Sequence, residues 1–349
     1  MICRIVASSK QIRRFLYICT ISDERKVNDM SFDPSQYLTY MGCKHVPPQA
    51  EEIRKEKADF AIVGAAYGGC ECAVPGTIWG PREVRQISEF VDYYNPELDI
   101  DLKEHIKFVD CGDVGGWRTA QGNTDKAFKE IEDAVAEITK AGAVPVTIGG
   151  DHSIMIPAFK GFWRETKGKI GIIHIDAHLD TADTFAGQKI SNCTMFIRAA
   201  ELDRVSSKNM AHIGIRYGAY NLRDEVKNAE KMGMRIFFMG EVEERGIDEV
   251  TKEALEIVCR ETDLLYYTLD VDCLDAPFCP ETEGPTPGGL TNRELLRATR
   301  LIGRAGVDGC DICEIRGPSH SGVNVTARMG AHVINELMFA TVQKKMGRK

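Results

Sequence analysis

Residues 170–180 read IGIIHIDAHLD. A mostly apolar run, Ile170–Ile175, interrupted only by His174, leads into Asp176-Ala177-His178-Leu179-Asp180. A short β-branched run bounded by polar residues reads as a strand buried on both faces. If the extended backbone continues past Ile175, then Asp176, His178 and Asp180 occupy positions i, i+2 and i+4 and point to one face. The strand is then a support, and the residues just beyond it carry the chemistry.

The same arrangement recurs along the chain. Val144–Ile148 leads into Gly149-Gly150-Asp151-His152-Ser153, and Leu264–Leu269 into Asp270-Val271-Asp272, with Asp275 beyond. A last run, Gly309–Ile315, carries Glu314 near its end. Further apolar runs at Asp59–Gly64, Ile106–Asp110, Met210–Ile215 and Arg235–Met239 read as strands as well. Amphipathic segments such as Thr124–Ala141, Ile247–Arg260 and Asn292–Gly303 read as helices between them. Eight strands alternating with helices predict an α/β fold: one mostly parallel sheet covered on both faces. Ligands bind such sheets at the carboxyl ends of the strands, where the polar residues above fall.

Those residues bring together two imidazoles (His152, His178) and four carboxylates (Asp176, Asp180, Asp270, Asp272). Four converging carboxylates repel unless cations neutralise them. An oxygen-rich set with some imidazole suits Mn²⁺ or Ni²⁺ better than a structural zinc. Six ligands exceed what one ion needs but suit two ions that share carboxylates, and a metal pair can activate a water near neutral pH.

Taken together, GGDHS (149–153), DAHLD (176–180) and LDVDCLD (269–275) resemble the ureohydrolases, the arginase and agmatinase family. The resemblance runs from about Ala61 and takes in PGTIWGPREVR (75–85), CGDV (111–114) and PTPGGLT (285–291). It implies a three-layer α/β/α domain around an eight-stranded parallel sheet, assembled as a homotrimer or homohexamer, with a hetero-oligomer open. It further implies one divalent ion on His152, Asp176, Asp180 and Asp270 and a second on Asp176, His178, Asp270 and Asp272. Asp176 and Asp270 would bridge the two ions, and Asp180 would also steer the attacking water. Glu314 falls where the family grips the substrate guanidinium, and a carboxylate fork fits a planar cation with paired N–H donors.

Two departures bear on the substrate. Agmatinase-like members carry His-Gly-Thr on the loop where this chain reads Ser191-Asn192-Cys193-Thr194. Asn192 can donate and accept hydrogen bonds but cannot take up a proton. His320, in EIRGPSHSG, is the candidate replacement, and His174 is expected behind the metal ligands. Arg316 lies just past Glu314 and, if it faces the pocket, disfavours a substrate with a distal ammonium. The expected activity is release of urea from free guanidine, a short alkylguanidine or a biguanide. Ordinary agmatinase activity, yielding putrescine and urea, is the alternative, and hydrolysis of a formimino compound is another. A non-catalytic partner subunit is a reading of a different class, against which the retention of all six metal residues speaks.

Composition agrees with a soluble enzyme. The chain has 349 residues, 43% hydrophobic and 28% charged, with a net charge of −8. The acidic balance and the lack of a basic patch exclude a nucleic-acid partner. No apolar run approaches the roughly 18–20 residues of a membrane span. The 12 cysteines lack a framework spacing and read as reduced thiols of a cytoplasmic protein. Cys310 and Cys313 are formally C-x-x-C, but on a strand they face opposite sides and should not share a metal. Residues 1–30 are expected to be a leader or disordered extension ahead of a domain over 31–349. Four basic residues and no acidic one up to Thr20 leave a mitochondrial transit peptide as a further reading.

Overall fold

The computed structural model describes residues 38–218, 222–319 and 322–347, without the side chains of 117 and 118. The expected boundary at residue 30 lies outside the described residues. Among them, eight strands form one sheet: β1 (Phe60–Ala65), β2 (Phe108–Val114), β3 (Val144–Gly149), β4 (Ile170–Ile175), β5 (Val205–Ile215), β6 (Arg235–Phe238), β7 (Leu264–Asp270) and β8 (Gly309–Cys313). Their order is β2-β1-β3-β8-β7-β4-β5-β6, and every neighbouring pair is parallel. β8 is shorter than the expected Gly309–Ile315, because Glu314 takes a left-handed φ of 66° that ends the strand.

All six residues of β1 and of β4 are buried, which is why both read as apolar runs, with His174 the one polar residue in β4. Alternate residues feed two separate cores. On one face Ile62, Ile148, Ile173 and Ile312 pack with Val84 of α2 (Gly80–Ser88), Val250 of α6 (Ile247–Val258), Ile302 of α7 (Asn292–Ala305) and Val333 of α8 (Val325–Lys345). On the other, Ala61, Val63, Ile172 and Tyr266 pack with Ile53 of α1 (Ala50–Glu56), Ile131 of α3 (Thr124–Ala141), Phe159 of α4 (Met155–Glu165) and Ala229 of α5 (Leu222–Met232). This is the expected three-layer α/β/α arrangement. Cys310 joins the first core and Cys313 the second, so the C-x-x-C pair is split by the sheet as expected. No helix among the described residues is long and apolar enough to cross a membrane.

The segments around the aspartate motifs position the sheet edge. Arg85, the last residue of PGTIWGPREVR, is buried and grips Asp110 with Nε–Oδ2 at 2.7 Å and Nη2–Oδ1 at 2.9 Å. It also reaches Asp113 of CGDV. In GGDHS, Gly150 lies so close to the chain after β1 that a Cβ there would overlap the Tyr67 carbonyl oxygen. In PTPGGLT, Gly289 packs on the Cys273–Asp275 backbone, and Thr291 forms a capping box with Glu294 that starts α7.

The sheet order has one consequence for function. β3, β8, β7 and β4 are adjacent at the centre. Their carboxyl ends bring His152, Glu314, Asp270 with Asp272, and Asp176 with His178 and Asp180 to one place.

Candidate active site

The backbone does not stay extended beyond these strands. Asp176 Oδ1 accepts from the His178 N–H at 2.6 Å, Asp270 Oδ1 from the Asp272 N–H at 2.8 Å, and Asp151 Oδ1 from the Ser153 N–H at 2.9 Å. After three of the four central strands, then, an aspartate hydrogen-bonds two residues ahead and turns the chain. Asp180 has a left-handed φ of 53°. The expectation of a shared face through continued extension is therefore corrected. The residues converge because three of the four strands end in an Asx turn and the fourth, β8, ends at the left-handed Glu314.

His152 Nδ1 faces Asp176 Oδ2 at 3.3 Å, Asp270 Oδ2 at 3.4 Å and Asp180 Oδ2 at 3.5 Å. It is buried and has no hydrogen-bond partner. Its other nitrogen, Nε2, lies 2.8 Å from Thr268 Oγ1, which donates to Asp311 Oδ1 at 2.6 Å. Asp311 Oδ2 also receives the Tyr266 hydroxyl, at 2.7 Å. With the threonine proton committed to Asp311, Nε2 must carry the imidazole proton, and the Nδ1 lone pair is left toward the carboxylates. Beside this group, His178 Nδ1 lies 3.0 Å from Asp272 Oδ2 and 3.4 Å from Asp176 Oδ1. Asp176 thus turns one oxygen to each histidine. Behind it, His174 Nε2 lies 2.7 Å from Asp176 Oδ2, and His174 Nδ1 lies 2.9 Å from His212 Nδ1. His174 accordingly stands behind the cluster, as expected.

These residues fit the metals the donor set implies. Ligands about 2.1 Å from a common ion stand roughly 3.0–3.4 Å apart, close to the separations just given. Burial, with Asp176 nearby, pushes Asp180 up to about 7. Burial followed by Asp272 and Asp176 raises Asp270 well above the usual carboxylate range. A cation would relieve both effects.

The cluster forms the floor of a cavity of about 260 Å³ whose walls include Cys72, Asn192, Glu225, Glu283, Thr286 and Glu314. Glu314 is 3% exposed; its Oε1 accepts from the His152 N–H at 2.6 Å, and its Oε2 has no partner. Burial, then Asp270 and Glu283, raises its pKa well above the usual range.

The model of the Arginase family matches residues 58–340 of this chain. The chain belongs to the arginase family. The family is built on a binuclear metal centre, and its ureohydrolases cleave guanidino C–N bonds. The guanidinobutyrase of Pseudomonas aeruginosa is 31% identical over 302 residues, 86% of this chain and 91% of that protein. The agmatinase of Proteus mirabilis is 30% identical over 291 residues, 82% of this chain and 89% of that protein. The solved structure of proclavaminate amidino hydrolase from Streptomyces clavuligerus matches with a TM-score of 0.76 at 26% identity, covering 89% of this chain and 99% of that one.

Against this family background the two departures are resolved differently. Asn192 lines the cavity of this arginase-family chain, where its Nδ2 donates to Glu283 Oε2 at 3.3 Å and its Oδ1 accepts from Cys72 Sγ at 3.1 Å. Arg316 is not among the lining residues. Its N–H donates to Glu281 O at 2.8 Å, its carbonyl accepts from Asn324 Nδ2 at 2.7 Å, and its side-chain carbons pass Gly76. The repulsion of a distal ammonium is expected only if Arg316 faces the pocket, and Arg316 does not line it. His320 lies outside the described residues.

Several residues of this ureohydrolase site escaped the sequence reading. Glu283 and Glu225 line the cavity, and Thr268 and Asp311 orient His152. Arg216 is buried and donates to the carbonyls of Asp272, Cys273, Leu274, Thr286 and Pro287 at 2.8–3.2 Å, pinning the turn after β7. An arginine just past a strand in GIR is the one signal that could have raised it, and the motif-based reading passed over it.

Proposed function

We propose that this chain hydrolyses the C–N bond of a small guanidinium compound that lacks a carboxylate, releasing urea and ammonia or an amine. The observation that carries the reading is the unpaired Glu314 Oε2, a buried acceptor on the cavity wall beside the aspartate cluster. A guanidinium edge offers paired N–H donors to such a carboxylate. His152, Asp176, Asp180 and Asp270 would hold one divalent ion, and Asp176, His178, Asp270 and Asp272 the other, manganese or nickel by the softness of the donors. Bound there, the pair supplies Lewis acidity and lowers the pKa of water. Asp180, at the cavity floor, is suited to orient that water.

The cavity chemistry supports the substrate class. Among the described residues its walls carry Glu225, Glu283 and Glu314 and no lysine or arginine. A substrate carboxylate would find no cation there and would face like charge. At an effective dielectric near 20, like charges roughly 7 Å apart cost about 2 kcal/mol. Free guanidine, short alkylguanidines and biguanides meet these conditions. Agmatine is a second reading, favoured by Glu225: its Oε2 is buried without a partner, where a distal ammonium could pair. The assembly expected is a homotrimer or homohexamer, which native mass spectrometry would read.

The test is urea release from the metal-loaded enzyme. Glu314→Gln should lower kcat/KM at least about a hundredfold for the best substrate, the loss of a buried charge-assisted pair, while both metals stay bound. Undiminished turnover in that variant would remove Glu314 from the substrate site.

A further inference from the structure

We infer that Glu283 is a second substrate-gripping carboxylate, selecting guanidinium groups whose second N–H edge carries no alkyl chain, and that Asn192 holds it in position. The inference rests on the reading of this cavity as a guanidinium site. Glu283 is 6% exposed. Its Oε1 accepts from the main-chain N–H groups of Cys72 and Ala73, and its Oε2 from Asn192 Nδ2. All three donors are neutral. They fix the carboxylate without cancelling its charge, and no salt bridge to Glu283 occurs among the described residues.

Glu283 and Glu314 line the same cavity, and burial followed by Asp270 and Glu283 raises the cost of ionising Glu314. Two buried carboxylates with no cation between them are a costly arrangement unless the ligand supplies the charge. Glu314 Oε2 is the unpartnered, buried atom that shows where the ligand docks. A carboxylate offers about four acceptor positions, so Glu283, with three used, has one left for the ligand.

A guanidinium matches this layout. Its N–H edges lie in one plane at 120° to one another, so one edge can meet Glu314 and a second Glu283. Free guanidinium presents both edges intact, and a biguanide continues the row of N–H donors. An alkyl chain on the second edge puts methylenes against Glu283 and leaves a buried acceptor unmatched, which is where discrimination is strongest. Asn192 acts through Glu283: with its Oδ1 occupied by the Cys72 thiol, its amide N–H₂ is turned to the carboxylate.

The experiment compares kcat/KM of metal-loaded wild type and Glu283→Gln for guanidinium chloride, biguanide and N,N-dimethylguanidine, in which alkylation of one nitrogen leaves a single intact edge, with metal content and melting temperature measured on both. Glu283→Gln should lower guanidinium and biguanide turnover about ten- to a hundredfold and N,N-dimethylguanidine less than about threefold, so that the selectivity ratio collapses. Asn192→Ala should shift the same ratio in the same direction, chiefly through KM. Should Glu283→Gln not fold, Glu283→Asp, which withdraws the charge by one methylene, must show the same bias. Equal losses on all three substrates, or none, would overturn the inference while leaving the guanidinium site intact. Wild type that releases urea from no guanidino compound would instead overturn the functional reading on which it rests.

Discussion

Asp176 joins the two halves of the proposed metal centre, one oxygen facing His152 and the other His178. The two histidines are therefore expected to fail differently. Elemental analysis should find close to two divalent ions per wild-type chain. His178→Ala or Asp272→Ala should lose mainly one ion and nearly all turnover. Retention of both ions would contradict the ligand sets. Metal uptake should also depend on pH. Asp180 stands at about 7, raised by burial first, above its unfolded value near 3.8. Below that pH it holds a proton that the ion must displace, so apparent affinity falls as pH falls through 7, by about tenfold per unit for each proton released. Calorimetry in buffers of different ionisation enthalpy would count those protons, and affinity flat from pH 8 to 6 would rule out the linkage. All six proposed ligands were legible in the sequence, because each lies within a few residues of a recognisable strand end. Glu283 was not. It sits in a loop without a motif, and its fixing donors, the Cys72 and Ala73 amides, belong to a distant part of the chain.

Three of the central strands work as elements because an Asx turn stops each and aims its last side chains, and β8 is stopped by the left-handed Glu314. The turn after β7 relies most on outside support, since Arg216 holds five carbonyls around it. Arg216→Ala should cost at least about 3 kcal/mol, as several buried acceptors lose a charged donor together. It should weaken metal binding although Arg216 touches no ion. Denaturant melts and metal titration would check both, and a variant with wild-type stability and metal affinity would refute the pinning role. Gly150→Ala should be worse, because the Tyr67 main chain occupies the space of a Cβ. Strands were legible as elements through burial on both faces, which leaves an unmistakable apolar run. Their ends were less so. Glu314 was placed inside a strand because only backbone geometry, invisible in residue type, ends β8 at Cys313.

At the scale of the molecule, two cores clamp the sheet, and buried ion pairing ties its outer strand to the rest. Arg85 on α2 bonds Asp110 on β2, the outermost strand at that edge. Asp110→Ala leaves a buried guanidinium short of its main partner and should cost about 3–5 kcal/mol, read as a lowered denaturant midpoint. The class of fold followed from rhythm alone, eight apolar runs between amphipathic ones. The spatial order β2-β1-β3-β8-β7-β4-β5-β6 did not, since pairing depends on contacts far apart in sequence. That order puts β3, β8, β7 and β4 side by side and makes one acidic cavity out of four separated motifs. In the proposed reaction this cavity directs an activated water onto a guanidinium carbon. The decisive measurement is turnover of guanidinium chloride by the metal-loaded enzyme in oxygen-18 water, with the products analysed by mass spectrometry. Urea carrying one solvent oxygen, formed in step with ammonia, is the expected outcome; no urea, or urea without solvent oxygen, would overturn the proposed reaction.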